Sequence, residues 1–251
     1  MNPVRNSPSR RPKGRASAGA ISNGMNVRAV KTRVFVECED LFEFIRAHVP
    51  TLKERSVLVV TSKIVALSEG RTANIQDTAA VIRAESEWQK ESKLGSVTLK
   101  DGILMWNAGI DSSNANDKIV LLPKDSFSAA KKIHSEILRL YTMQNVGVII
   151  VDSRVMPLRA GVVGIALGYA GFKGLRDYRG QKDIYGRKMQ YTQTNLADSL
   201  ATSATFVMGE GDEQQPLCVI EDAPVEFVQR VQRGELRIDI KDDMYGPLMK
   251  F

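Results

Sequence analysis

Two apolar runs, residues 103 to 110 and 146 to 151, each stop on an aspartate followed by a serine: Asp111-Ser112 and Asp152-Ser153. Runs of this kind read as strands that need burial, and their shared ending is a way to set two carboxylates at neighbouring strand ends. Together with the hydroxyls beside them they offer the hard oxygen ligands that Mg²⁺ or Mn²⁺ prefers. Asp and Ser also end strands and open turns by bonding to local backbone, so either aspartate alone reads as readily as a turn residue.

The chain has 251 residues, enough for one large domain or two lobes with a sizeable core. Its formal charge of +6 resembles a nucleic-acid signal until it is located. Five of the basic residues, Arg5, Arg10, Arg11, Lys13 and Arg15, fall in an acid-free segment before Met25, which leaves 30 basic against 29 acidic side chains in the rest. The body is therefore almost neutral, and nucleic acid is not an expected partner. Residues 1 to 24 are rich in Ser, Pro, Arg and Gly without apolar periodicity, the composition of a disordered tail. They lack a secretory apolar segment and an amphipathic stripe. A start placed too early, with Met25 as the functional start, explains them as well as a transit peptide does. No apolar stretch approaches the roughly 18 residues of a membrane span. Cys38 and Cys218 are far apart in apolar settings, which reads as reduced core thiols in a cytoplasmic protein.

Helical periodicity is expected at residues 39 to 46, between Asp77 and Glu85, after Asp125 with Ala130, Ile133, Ile137 and Tyr141 on one face, and over residues 196 to 208 behind Asn195 as cap. Strands are expected at residues 56 to 61, 146 to 151 and 217 to 220. The irregular alternation argues for a mixed α/β, or α+β, architecture.

Familiar catalytic signatures are missing. There is no P-loop and no Rossmann Gly-x-Gly-x-x-Gly motif. The two histidines, His48 and His134, sit on expected helices with no Cys or His at ligand spacing, so neither a zinc site nor a Ser-His-Asp triad can be built. The glycines at 161, 164, 168, 171 and 174 read as close packing or bends.

Several polar segments remain, and in their order along the chain they resemble a known family. These are residues 59 to 65 with Glu69-Gly70-Arg71, Asn107 to Asn114, Leu121-Leu122-Pro123, Gly161 to Gly171, Asp177 to Arg187, and Ala197-Asp198 through Met208-Gly209-Glu210. They are similar to the gamma-glutamyl ligases of deazaflavin coenzyme F420 biosynthesis, and the resemblance covers nearly everything from Met25 onward. It implies a two-lobed α+β fold over residues 25 to 251. It also implies a homodimer that joins L-glutamate to the carboxylate acceptor F420-0, using GTP (ATP as the alternative) and passing through an acyl phosphate. Two Mg²⁺ or Mn²⁺ ions are implied, with K⁺ as a further ion. The resemblance puts Asp111 and Asp152 on the first metal, with Ser153 and Glu210 around the second, and Arg159 on phosphate or substrate carboxylate. It puts Ser62, Lys63 and Asn114 on the nucleotide, with Ala29, Val30, Lys31 and Thr32, and with Met208, Gly209, Glu210, Gly211, Asp212, Glu213, Gln214 and Gln215.

The chain also departs from the family. Where Thr-x-Gly-Arg-Pro-Trp-Arg is common after the metal aspartate, residues 153 to 159 read Ser-Arg-Val-Met-Pro-Leu-Arg, and Leu67 stands where a lysine is frequent. Arg154 is expected to replace part of the lost charge. These differences leave open a different acceptor, such as a folate, or a nucleotide-binding homologue without turnover.

Overall fold

The computed structural model describes residues 24–115 and 117–249. The basic tail, apart from Gly24, lies outside the described residues.

A five-stranded sheet organises the molecule. It comprises β1 (Asn26–Val30), β2 (Val57–Thr61), β8 (Gly147–Val155), β9 (Val162–Ala170) and β12 (Leu217–Glu221), in the order β1-β12-β2-β8-β9. Only β2 and β8 pair in parallel; the other neighbours are antiparallel. Alternation along the central strands sends side chains to two cores. Leu58, Val60, Val148 and Ile150 pack with α1 (Leu41–His48), α2 (Ser62–Ser68) and α4 (Ser126–Leu140). Val57, Val59, Ile149 and Val151 pack with α5 (Leu196–Met208) on the other face. A smaller assembly contains β3 (Thr72–Asn74) paired with β7 (Lys118–Val120), α3 (Thr78–Glu85) and an antiparallel sheet of β4 (Trp88–Ser92), β5 (Gly95–Lys100) and β6 (Ile103–Trp106). Ile82, Ala108, Ile110, Ile119 and Leu121 form its core. A short pair, β10 (Leu175–Asp177) with β11 (Gln193–Asn195), leads into α5. The fold is α+β with mixed sheets, as expected, and contains no closed barrel among the described residues.

The helix starts follow from side chains that satisfy orphan amides. The Asp40 carboxylate accepts from the Phe42 and Glu43 amides at 2.8 and 3.0 Å, Asp125 accepts from Ser128 at 3.0 Å, and Asn195 from Asp198 at 3.0 Å.

Neither metal-candidate aspartate ends a strand, contrary to expectation. β6 stops at Trp106, and a tight turn with positive φ at Asn107, Ala108 and Gly109 carries the chain to Asp111, which bridges Val120. β8 continues through Asp152 to Val155 because β9 supplies ladder partners that far, Asp152 opposite Ile165 and Val155 opposite Val162. The apolar run ends where burial ends, while the pairing goes on. Cys38 is also a correction: it is exposed, in a turn with φ of 62°, and its amide is held by the Leu67 carbonyl. Cys218 is a core thiol as expected.

A bulge in β9 explains two of the glycines. Ile150 pairs with Gly168 and Val151 with Ala166, so Leu167 is left over and the facing of β9 reverses there. Gly164 consequently meets α5 and Gly168 meets α4. A Cβ on Gly164 would lie 2.5 Å from the Ala201 carbonyl oxygen, and one on Gly168 2.5 Å from that of Ser126. Both are backbone contacts that cannot yield without moving a helix, so the packing reading of these glycines holds.

Two stability outcomes follow from this packing. Gly164→Ala and Gly168→Ala should each destabilise the protein by about 1–3 kcal/mol, the cost of overpacking, measured by urea unfolding. His134 is buried on α4, and burial holds its imidazole below the ordinary value even though it bonds the Val146 carbonyl. A depressed folded-state pKa means stability is intact above the unfolded value and is lost as pH falls through the folded one. Unfolding followed from pH 7.5 to 5 should therefore show an acid loss that is shallower in His134→Gln.

Candidate functional site

Parallel pairing places Thr61, the last residue of β2, beside Val151. The start of α2 therefore stands next to Asp152, and the chemistry is assembled across that junction. Ser62, the first residue of α2, donates its hydroxyl to Asp152 Oδ1 at 2.7 Å. Lys63 follows and reaches the loop after β6, with Nζ 2.7 Å from Asp111 Oδ2 and 2.8 Å from the Ser113 carbonyl. Asp111 is fixed from its own loop, accepting from the Ser113 amide at 2.7 Å and its hydroxyl at 2.9 Å. Exchange of backbone hydrogen bonds with Val120 anchors the loop to β7.

The two carboxylates differ in electrostatic state. Burial, reinforced by the negative charge of Asp111, pushes the Asp152 carboxyl up to about 7 against the opposing Ser62 hydrogen bond. Burial acts on Asp111 too, but the bonds from Lys63 and Ser113 outweigh it and hold that carboxyl below its ordinary value. A cation between them would relieve both the repulsion and the poor solvation. Among the described residues there is no group of three or more His, Cys, Asp or Glu set to hold a metal. The donors that fit are thus two carboxylates and the Ser62 hydroxyl. That sparse oxygen set suits Mg²⁺ or Mn²⁺, which take remaining positions from water and phosphate.

Ser153 and Glu210 form a separate unit. Adjacent residues on a strand point to opposite faces, so Ser153 leaves Asp152 behind and donates to the Glu210 carboxylate, 2.6 and 2.8 Å from its two oxygens.

The segments expected to hold nucleotide do come together. Gly209 ends α5 with φ of 81°, and the chain runs back along the sheet edge. There the Thr32 amide bonds the Gln214 carbonyl at 2.9 Å, Lys31 Nζ the Glu213 carbonyl at 2.6 Å, and Asn114 Nδ2 the Gly211 carbonyl at 3.2 Å. Glu213 folds back to the Gly211 amide at 2.7 Å, in space that a side chain at Gly209 would fill. Asp212 is exposed and Gln215 half-buried in the same segment. The Val30 and Met208 side chains are buried in the two cores. Ala29 pairs with Cys218 in the ladder.

Arg159 is not brought to the aspartate pair. It sits in the exposed turn between β8 and β9, its amide bonded to the Met156 carbonyl at 3.2 Å, with no side-chain partner among the described residues. Ser113 was missed by the sequence reading although it holds both Asp111 and Lys63. Its signal was the Asp-Ser-Ser spacing, in which an aspartate bonds the backbone two residues on.

Residues 91–222 match the F420-0:Gamma-glutamyl ligase family model. The Coenzyme F420:L-glutamate ligase of Methanococcus maripaludis strain C7 is 34% identical over 197 residues, which cover 70% of this chain and 79% of that protein. The protein of the same name from Archaeoglobus fulgidus is 36% identical over 205 residues, 73% of this chain and 82% of the relative. That from Methanocaldococcus jannaschii is 45% identical over 128 residues, 51% of either chain. The family match spans Asp111, Asp152, Ser153 and Glu210, and on this ground the chain belongs to the F420-0:gamma-glutamyl ligase family.

Proposed function

We propose that the protein is a glutamate ligase that forms a gamma-glutamyl amide between L-glutamate and a carboxylate of F420-0, at the expense of GTP. The observation that carries the reading is the Asp111 and Asp152 pair, tied to the α2 start through Ser62 and Lys63, in a chain of this family.

An amine does not displace oxide from a carboxylate, so the acceptor must first be activated. Transfer of the γ-phosphoryl group of GTP to the carboxylate gives an acyl phosphate and GDP; attack by the glutamate amine then forms the amide and releases phosphate and a proton. Such transfers depend on positioning and charge neutralisation. Mg²⁺ or Mn²⁺ held by Asp111 and Asp152, and a second ion near Ser153 and Glu210, would neutralise the transferring phosphoryl oxygens. Lys63 is placed to exchange its Asp111 carboxylate for a phosphate oxygen. Asn114 and residues 209 to 215 would line the nucleotide with amide groups, which requires no P-loop. Ser62 holds Asp152 in one orientation throughout.

Glutamate-dependent phosphate release, with mass spectrometry of the acceptor, tests the reading. F420-0 with GTP should gain glutamyl mass; a folate gaining it instead would move the reaction to another acceptor, and no adduct on any acceptor would remove the proposal. Asp152→Asn should lower kcat by about 10³-fold, the scale of several kcal/mol of metal-supplied charge stabilisation. Because the folded-state pKa of Asp152 is raised, its ionisation costs stability as pH rises through about 7. The loss begins at the unfolded-state value of about 4 and is complete above about 7, so metal-free Asp152→Asn should gain most over the parent at pH 8, less at pH 5.5 and nothing below about pH 4. Metal binding needs the deprotonated carboxylate, so Mn²⁺ affinity measured by calorimetry should weaken below pH 7 in the parent, with proton uptake by the buffer. That slope should disappear in Asp152→Asn.

A further inference from the structure

A cavity of about 450 Å³ opens between the β5–β6 hairpin, Arg154 of β8, residues 165 to 167 of β9, the start of α4 and residues 233 to 249. Its wall is largely apolar, with Leu122, Ile165 and Leu167 packed against Ile103 and Met105. Arg154 lines it; its Nε is buried without a hydrogen bond, the side chain forms no ion pair among the described residues, and Asp198 acts on it only through its charge. Two of the four aspartates that line the cavity are already committed. Asp198 accepts from the Ala166 amide at 2.9 Å and from Asn195 at 2.7 Å, while Asp125 caps α4 and pairs with Arg233 at 2.7 Å. A buried guanidinium donor left unmatched is costly, and its fork geometry fits a carboxylate or phosphate.

Position narrows the occupant. Arg154 lies two residues beyond Asp152 with no bulge between them, hence on the same strand face and about 7 Å along it. None of Lys63, Asn114 or residues 208 to 215 lines the cavity, so it is separate from the segments assigned to nucleotide. Its volume is that of a site for a substrate with an extended apolar body, larger and less polar than free glutamate requires.

We infer that this cavity is the acceptor site, in which Arg154 grips an oxyanion of the acceptor and the Ile103, Met105 and Leu167 wall holds its apolar part, presenting the reacting carboxylate toward Asp152. The inference rests on the ligase reading for the identity of the acceptor. It adds a specificity residue on the strand that carries Asp152.

Steady-state kinetics and equilibrium binding of F420-0, followed by its own fluorescence, test this on the full chain. Arg154→Met should raise KM and Kd for F420-0 by about 10- to 100-fold, the loss of one charged hydrogen-bonding group, with kcat and the KM for GTP within about twofold of the parent. Arg154→Lys should lie between. Met105→Trp, which narrows the cavity from the β6 wall, should also raise KM for F420-0 alone. Unchanged F420-0 affinity in Arg154→Met, or an equal loss for GTP, overturns the acceptor site while leaving the ligase reading intact. A parent protein that makes no glutamyl product removes the ligase reading instead, and the Kd of F420-0 for parent and Arg154→Met still decides the cavity.

Discussion

The parallel register of β2 against β8 is the constraint on which the site depends. It sets Thr61 beside Val151, so that α2 begins level with Asp152. Slipping the register by one residue would turn Asp152 to the opposite face and separate it from Ser62. The register is held by burial on both faces: Val57 to Val60 and Val148 to Ile150 are almost fully enclosed, alternating between the α4 side and the α5 side. Because the sheet core demands that alignment, the site inherits it without further adjustment. The single-residue bulge at Leu167 belongs to the same arrangement, since it allows β9 to accept α5 closely at Gly164 and α4 at Gly168.

Electrostatics at the junction is the reverse of what stability alone would select. Asp152 is half-buried near a second carboxylate, with the Ser62 hydroxyl and the Ser153 amide as donors, and its carboxyl is nevertheless pushed up to about 7. Asp111, a short distance away, is over-provided with donors by comparison, from Lys63 and Ser113. Unequal treatment of neighbouring carboxylates marks sites where a cation or proton completes the structure. Arg154, one residue pair further along β8, presents the opposite problem, a buried donor in want of an anion. Unsatisfied negative and positive groups on one strand face are complementary to a substrate complex that carries metal and oxyanion together.

Much of the fold was legible in the residues. Asp125 and Asn195 announced the starts of two helices, and the valine- and isoleucine-rich runs at 56 to 61, 146 to 151 and 217 to 220 announced the central strands, because capping and burial are local signals. The strand limits around the aspartates were misread because an apolar run reports burial, whereas the length of a strand is decided by its partner. β9 prolongs β8 past Asp152, and the positive-φ turn at Asn107 to Gly109 cuts β6 short. Cys38 looked like a core thiol from its apolar neighbours, yet its turn conformation lifts it to the surface.

By itself the sequence determined the residue types at the site, the separation of a basic tail from an almost neutral body, and a set of ordered segments similar to the gamma-glutamyl ligases. These are properties of composition and order, available without coordinates. Tertiary structure alone decided which of the assigned groups meet. It joined Ser62 to Asp152 across 90 positions and Lys63 to Asp111 across 48, sent Ser153 to Glu210 instead, buried Val30 and Met208, and left Arg159 in an exposed turn. It also left the Arg154 Nε buried without a hydrogen bond. The physical reason is that side-chain direction and desolvation are set by strand pairing and packing between distant segments, and no local pattern encodes either.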